Sequence, residues 1–177
     1  MSSPNKGIEK AEVAIKWDPS PAGAPPHDLD IIAATYVADA PYGKPAYLVH
    51  FDSRSPDGTI TLDRDSRTGQ GLGFDEVMSF ELHRLAPAFV RVVVGVVVQQ
   101  TDGRVTFGDV AGTGVRVRSG YTELATDDLA RVAAATAATV AEFRRNASGG
   151  WEFHDTVRGF DTDPVSFAAL MGTAPDS

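Results

Sequence analysis

Apolar residues along this chain fall in many short runs broken by turn-forming residues, a pattern of extended strands. Val13 to Trp17 reads as a first strand, and the Pro-rich stretch Asp18 to Pro26 that follows cannot lie inside a paired central strand. His27 to Val37, rich in Ile, Thr and Tyr, predicts a second strand, and Ala46 to Asp52 a third. Ser55-Pro56-Asp57-Gly58 carries turn chemistry, since Pro pre-sets φ and Gly supplies positive φ. Thr59 to Leu62 and Val77 to Leu82 resume the extended pattern. Phe89 to Gln99 is almost continuous Val, as in a strand buried on both faces. Thr101-Asp102-Gly103 is a hairpin signal, followed by short strands at Phe107–Val110 and Gly114–Val117. Many short strands with turns between them predict an all-β fold, a sandwich of two β-sheets.

One segment carries two patterns. Thr126 followed by Asp127 and Asp128 is a helix N-cap with acids in the first turn. Leu129, Val132, Thr136, Val140 and Phe143 follow at roughly helical spacing, so Asp127–Arg145 taken alone predicts one helix. Its second half, Ala137 to Phe143, equally fits a strand leading through Asn146–Gly150 into Trp151-Glu152-Phe153. Local pattern leaves helix and strand open at 135–145.

Length and composition narrow the function. The 177 residues suit one domain with a substantial core, and no internal repeat or linker divides them. With 16 Lys+Arg against 24 Asp+Glu the formal charge is −8, which repels phosphate backbones. Arg116, Arg118, Arg144 and Arg145 are the nearest approach to a basic patch and read as a solvated strand face, so nucleic acid is not an expected partner. The absence of cysteine removes disulfides, zinc–thiolate sites and any thiol nucleophile. The first residues show no signal-peptide run, and the longest apolar stretch, Val92–Val98, falls far short of the roughly 18 residues of a membrane span. These features lead to the expectation of a cytoplasmic protein.

Two acidic segments carry the candidate chemistry. On a strand, Asp28 and Asp30 share one face while Leu29 and Ile31 share the other. Carboxylates so placed repel unless a cation or a proton lies between them, and calcium, with six to eight oxygen ligands, suits such a site. A water-wetted strand edge is the plainer reading of this pair. The second segment runs Asp65-Ser66-Arg67-Thr68-Gly69-Gln70-Gly71-Leu72-Gly73-Phe74-Asp75-Glu76. Its glycines let the backbone curl so that carbonyls face an ion beside the flanking acids, although a plain surface hairpin fits equally well. The loop does not match the EF-hand, because Arg67 and Gln70 occupy its third and sixth positions. No Gly-Lys-Ser/Thr follows, and the run opens no βαβ unit, so phosphate-loop and dinucleotide readings are weak. His27, His50, His83 and His154 are scattered without ligand spacing, and Trp17 and Trp151 read as core or rim aromatics. No Ser–His–acid arrangement is visible; an enzyme using Asp30 or Glu76 as a base is the weaker alternative.

Taken in order, Asp28-Leu29-Asp30, then Phe51 with Ser55-Pro56-Asp57-Gly58, then the Asp65–Glu76 loop, resemble the TerD family of tellurium-resistance and stress proteins. That family carries an FDLD strand, an FYNN…SPDG hairpin and a DNxTGEGxGDDE loop at similar spacings. Phe107-Gly108-Asp109-Val110 resembles its FGQV; Trp151-Glu152-Phe153 and Arg158-Gly159-Phe160 resemble its WKF…GQGY. The likeness covers roughly residues 8–160 of a single domain spanning 1–177, with 161–177 as a C-terminal tail.

The resemblance implies a two-sheet sandwich with calcium between the acidic strand and the Gly-rich loop. Asp28, Asp30, Asp65, Asp75 and Glu76 would give side-chain oxygens, Gln70 an amide oxygen, and Thr68, Gly69 and Gly71 backbone carbonyls. It implies a non-catalytic regulatory or interaction module of bacterial stress response, working with protein partners. It also implies a strand at Ala137–Arg145, leaving only Asp127–Ala134 for the one short helix. Ser66, Gln70 and Phe74 stand where the family has Asn, Glu and Asp, which lowers the oxygen count and hence the expected affinity. If the loop is degraded so far that calcium is lost, the alternative is a metal-independent protein-binding module.

Overall fold

The computed structural model describes residues 7–51, 53–64, 73–100 and 103–174. Among the described residues, eleven strands and one α-helix form in chain order. The strands are β1 (Ala11–Lys16), β2 (Leu29–Val37), β3 (Tyr47–Val49), β4 (Ile60–Arg64), β5 (Glu76–Phe80), β6 (Phe89–Val98), β7 (Gly114–Ser119), β8 (Thr122–Asp127), β9 (Ala137–Arg145), β10 (Trp151–His154) and β11 (Arg158–Phe160). The helix, α1 (Pro164–Leu170), follows. The first sheet has the order β4-β5-β1-β7-β8, and the second β10-β9-β6-β2-β3, with β11 also pairing β9; every pairing is antiparallel.

Residue alternation explains why the sheets meet as they do. Val13 and Ile15 of β1, Met78 and Phe80 of β5, and Val115 and Val117 of β7 point inward. They meet Leu29, Ile31 and Ala33 of β2 and Val92, Val94, Val96 and Val98 of β6 from the other sheet. The unbroken Val run now has a cause, because β6 is covered on both faces. Val93 and Val97 belong to a second cluster with Ile32, Ala34, Tyr36 and Ala137, closed by Phe167 and Met171 at the C-terminal helix. Gly95 makes this docking possible: a Cβ there would stand 2.5 Å from the Phe167 ring.

The single helix therefore lies in the segment read as a tail, not at Asp127–Ala134. Asp163 caps α1, its Oδ1 accepting from Ser166 N at 2.8 Å, and Pro164 occupies the first turn. Within 127–134 only Ala130–Val132 forms a single 3-10 turn, because aspartate side chains hold the backbone in turns. Asp127 Oδ1 accepts from Leu129 N at 2.6 Å and Asp128 Oδ1 from Ala130 N at 2.9 Å. Leu129, at φ 63°, is thereby turned into the core. Ala137–Arg145 is a strand, as the resemblance implied; its small side chains fit a β9 covered on both faces. Phe107–Val110 is also not a strand: Phe107–Asp109 forms a 3-10 turn closed by Asp109 Oδ2 accepting from Thr106 N at 2.9 Å.

The C-terminal element is tied down at its far end by one buried cation. Arg91 Nε and Nη2 donate to Glu142 at 3.0 and 3.2 Å, while Nη1 donates to Gly172 O at 2.6 Å and Pro41 O at 2.9 Å. The rings of Tyr36 and Tyr42 lie 5.1 and 4.5 Å from the guanidinium carbon. Burial alone pushes the Glu142 carboxyl up, but hydrogen bonds and charge from Arg91 and Arg144 outweigh it and hold the pKa below the ordinary 4.5. A depressed pKa contributes stability that is complete above pH 4.5 and lost as pH falls through the lower folded value. Glu142→Gln is expected to cost about 3–5 kcal/mol at neutral pH in urea unfolding, because it strands Arg91 in the interior. It should also flatten the fall in stability below pH 4.5 seen for the unaltered protein.

Candidate functional site

The acidic end of the sandwich is built on a mismatch in strand length. β3 pairs with β2 only across Ala33–Thr35, so the first half of β2 has no strand beside it on that edge among the described residues. The backbone N–H of Ile31 must find another acceptor. Glu76, at the start of β5 in the opposite sheet, supplies it: its Oε1 accepts from Ile31 N at 2.8 Å. The carboxylate is wholly buried, at 0% exposure.

Asp75 continues the pairing of β5 with β1. Its N–H donates to Ile15 O at 2.8 Å and its Oδ2 accepts from Trp17 N at 2.8 Å. Trp17 in turn donates its indole Nε1 to His27 O at 2.9 Å, fixing the chain just before β2. Gln99, one residue past β6, closes the other side. Its Nε2 donates to Asp30 Oδ2 at 2.6 Å, and its backbone N–H to Asp28 O at 2.9 Å.

The structure thus brings Asp28, Asp30, Asp75 and Glu76 to one end of the sandwich. Glu76 binds the peptide N–H that immediately follows Asp30, and Asp75 reaches His27, beside Asp28, through Trp17. Asp30 and Asp75 are each 2% exposed. Asp65, Thr68, Gly69, Gln70 and Gly71 lie outside the described residues. Among the described residues no group of three or more His, Asp or Glu is arranged so as to hold a metal by itself. Sequence reasoning missed two structural members of this end, Trp17 and Gln99. A buried Trp needs an acceptor for its indole N–H, which was a usable signal for the first; the Gln had none.

Phe74, the residue before Asp75, is engaged by a cation. Its ring lies 4.2 Å from the guanidinium carbon of Arg116 on β7. A groove of about 940 Å3 opens beside the site, between α1 and the outer face of the second sheet. Ile32, Leu48 and Val97 line it with Pro164 and Val165, and Asp30 borders it. No helix among the described residues is long and apolar enough to cross a membrane.

A family model, the TerD domain, matches residues 1–170. The chain belongs to the TerD family. The tellurium resistance protein TerD of Alcaligenes sp is 27% identical over 177 residues, covering 97% of this chain and 92% of that protein. TerD of Serratia marcescens is 26% identical with the same coverage. Among solved structures, a homologue of telluride resistance protein TerD from Streptomyces coelicolor A3(2) is 63% identical with a TM-score of 0.93, covering 96% of this chain and all of that one. A crystal structure of a protein of unknown function is 59% identical with a TM-score of 0.94.

The Glu76 bond makes a prediction that needs no ligand. Glu76→Gln keeps a carbonyl oxygen for Ile31 N and should leave the calcium-free fold nearly as stable. Glu76→Ala orphans a buried N–H and should cost about 1–3 kcal/mol in chemical unfolding.

Proposed function

We propose that this protein is a calcium-binding, non-catalytic module of the tellurium-resistance type that regulates or recruits protein partners in a stress response. The observation that carries this reading is the burial of Asp30, Asp75 and Glu76 at one end of the sandwich, at 2%, 2% and 0% exposure. Gln99 Nε2, Trp17 N and Ile31 N donate to them and fix their carboxylates in place. Carboxylates gathered out of water at one end of the sandwich repel one another, and a divalent cation is the partner that several can share.

The donor chemistry fits the ion. Every candidate ligand is oxygen, no thiol exists in the chain, and loosely shaped oxygen sites favour calcium over magnesium. Asp28, Asp30, Asp75 and Glu76 hold the ion from the sheets. Asp65, Gln70 and the carbonyls of Thr68, Gly69 and Gly71 would complete its shell from the loop. Calcium there ties the two sheets together next to the groove bordered by Asp30, and an ordered groove is the surface a partner protein reads. The family membership and the tellurium-resistance relatives support the broader reading.

Chelator-treated protein titrated with calcium, with magnesium as control, tests the proposal by thermal unfolding. Calcium at a hundred times its dissociation constant should stabilise the fold by about 2.7 kcal/mol, a midpoint rise of roughly 5–10 °C. Asp30→Ala and Asp75→Ala should remove the response. A flat curve at millimolar calcium would sink the calcium reading and favour a metal-independent binding module built on the same groove.

A further inference from the structure

We propose that the stack of Arg116 on Phe74 is a positioning brace that aims Asp75 and Glu76 and thereby sets the calcium affinity of this chain. The inference rests on the calcium reading above for its second half only.

Three consecutive residues are each held by a different strand neighbourhood. Phe74 is held by Arg116 of β7, Asp75 by Trp17 just past β1, and Glu76 by Ile31 of β2. Gly73 precedes them with φ +80°, a left-handed turn that directs the chain into this anchored run. The Asp75 N–H fixes its own peptide on Ile15 O at 2.8 Å, and the Phe74 ring anchors the side chain that precedes this peptide.

The reach of Arg116 is written in the register. Arg116 pairs with Ala14 on β1, and Ala14 pairs with Val77 on β5, so the three share the outer face of the first sheet. The small Ala14 side chain leaves the lane between β7 and β5 open, and Ala14 is itself fully covered. The guanidinium can therefore lie across β1 and meet the Phe74 ring. Acids stand nearby: Glu123, Asp127 and Asp128 line the same cavity of about 680 Å3. Asp127 is taken by Arg131 at 2.7 Å and by Leu129 N, and Asp128 by Ala130 N. Arg118, two residues on, reaches Glu12 through Nη2 at 3.1 Å, whereas Arg116 makes no ion pair among the described residues; the Nε of both has no hydrogen-bond acceptor there. The aromatic face is the contact that Arg116 makes.

A ring at position 74 gives no oxygen to a metal. By fixing the chain before the ion arrives, it lowers the ordering cost of binding at the two acids that follow. Asp75 and Glu76 are aimed by packing in place of an additional carboxylate.

The test is a double-mutant cycle on the full chain with two readouts. The variants are Phe74→Leu, Arg116→Met, both together, and the ring-retaining Phe74→Tyr. In calcium-free protein, amide hydrogen exchange at Trp17, Asp75 and Glu76 should speed by tenfold or more in Phe74→Leu and stay unchanged in Phe74→Tyr. Calorimetric titration should show calcium binding weakened by about three- to tenfold in Phe74→Leu, with the double variant no weaker than that single one. Unchanged exchange at those amides in Phe74→Leu overturns the brace whatever calcium does. Faster exchange with an unchanged calcium constant overturns its effect on affinity. If the unaltered protein takes up no calcium while exchange still responds to Phe74→Leu, the calcium reading fails and the brace stands.

Discussion

A backbone amide buried at a sheet edge must be satisfied, and in this protein that requirement falls on Ile31. β2 outruns β3, so half of one of its edges has no ladder partner among the described residues. Glu76 answers from the facing sheet. The consequence spreads outward from that bond. It draws a charged side chain to the inter-sheet layer, places it against the peptide of Asp30, and fixes where β5 begins. The neighbouring Asp75 then falls on Trp17, whose indole secures the chain before β2. An unsatisfied amide and a cluster of acids are thus one architectural fact with two faces. The first would destabilise the fold without Glu76; the second gathers carboxylates where the proposed cation would bind.

The opposite end of the second sheet is organised by the inverse device. There the buried group is a cation, Arg91, and its neutraliser is built into the chain as Glu142, which also pairs with Arg144, while two tyrosine rings face the guanidinium. Arg91 also donates to the Gly172 carbonyl just past α1, so the segment that covers Gly95 is held both at Phe167 and at Gly172. A charge whose partner is covalently part of the protein serves permanent structure. At the acidic end, the proposed partner of Asp30, Asp75 and Glu76 would be an exchangeable ion, suited to a ligand-responsive site.

How much of this was legible depended on range. Alternation exposed most strands of both sheets but not β8 or β11, and the Val92–Val98 run correctly announced a strand covered on two faces. What covered the second face was also in the sequence, as Asp163-Pro164 opening a short helix, but seven helical residues after the last resembling motif are a faint signal. The Ala-rich segment misleads for a physical reason. Alanine favours helix locally, while β9, packed between the sandwich core and α1, needs small side chains on both faces. At Phe107, a four-residue stretch read as strand is held as a 3-10 turn by the Thr106–Asp109 side-chain bonds. The acids were found from type and spacing. That Glu76 reaches Ile31 across the sheets was not, because a contact spanning 45 residues leaves no local trace.

Phe74 shows why a lost ligand is not simply a lost site. Counting oxygens alone, a phenyl ring in an acidic loop subtracts one donor. In three dimensions the ring engages Arg116, whose strand neighbour on β1 is the small Ala14. The change from carboxylate to ring therefore moves a residue from the group that would touch an ion to the group that holds the ion's ligands still. Affinity depends on both groups: charge supplies the attraction, and rigidity limits what ordering takes back. A chain poorer in loop carboxylates than the family pattern keeps its site only if the acids that remain are better fixed. Here Asp75 and Glu76 are each tied to a different strand neighbourhood, and the residue before them to a third.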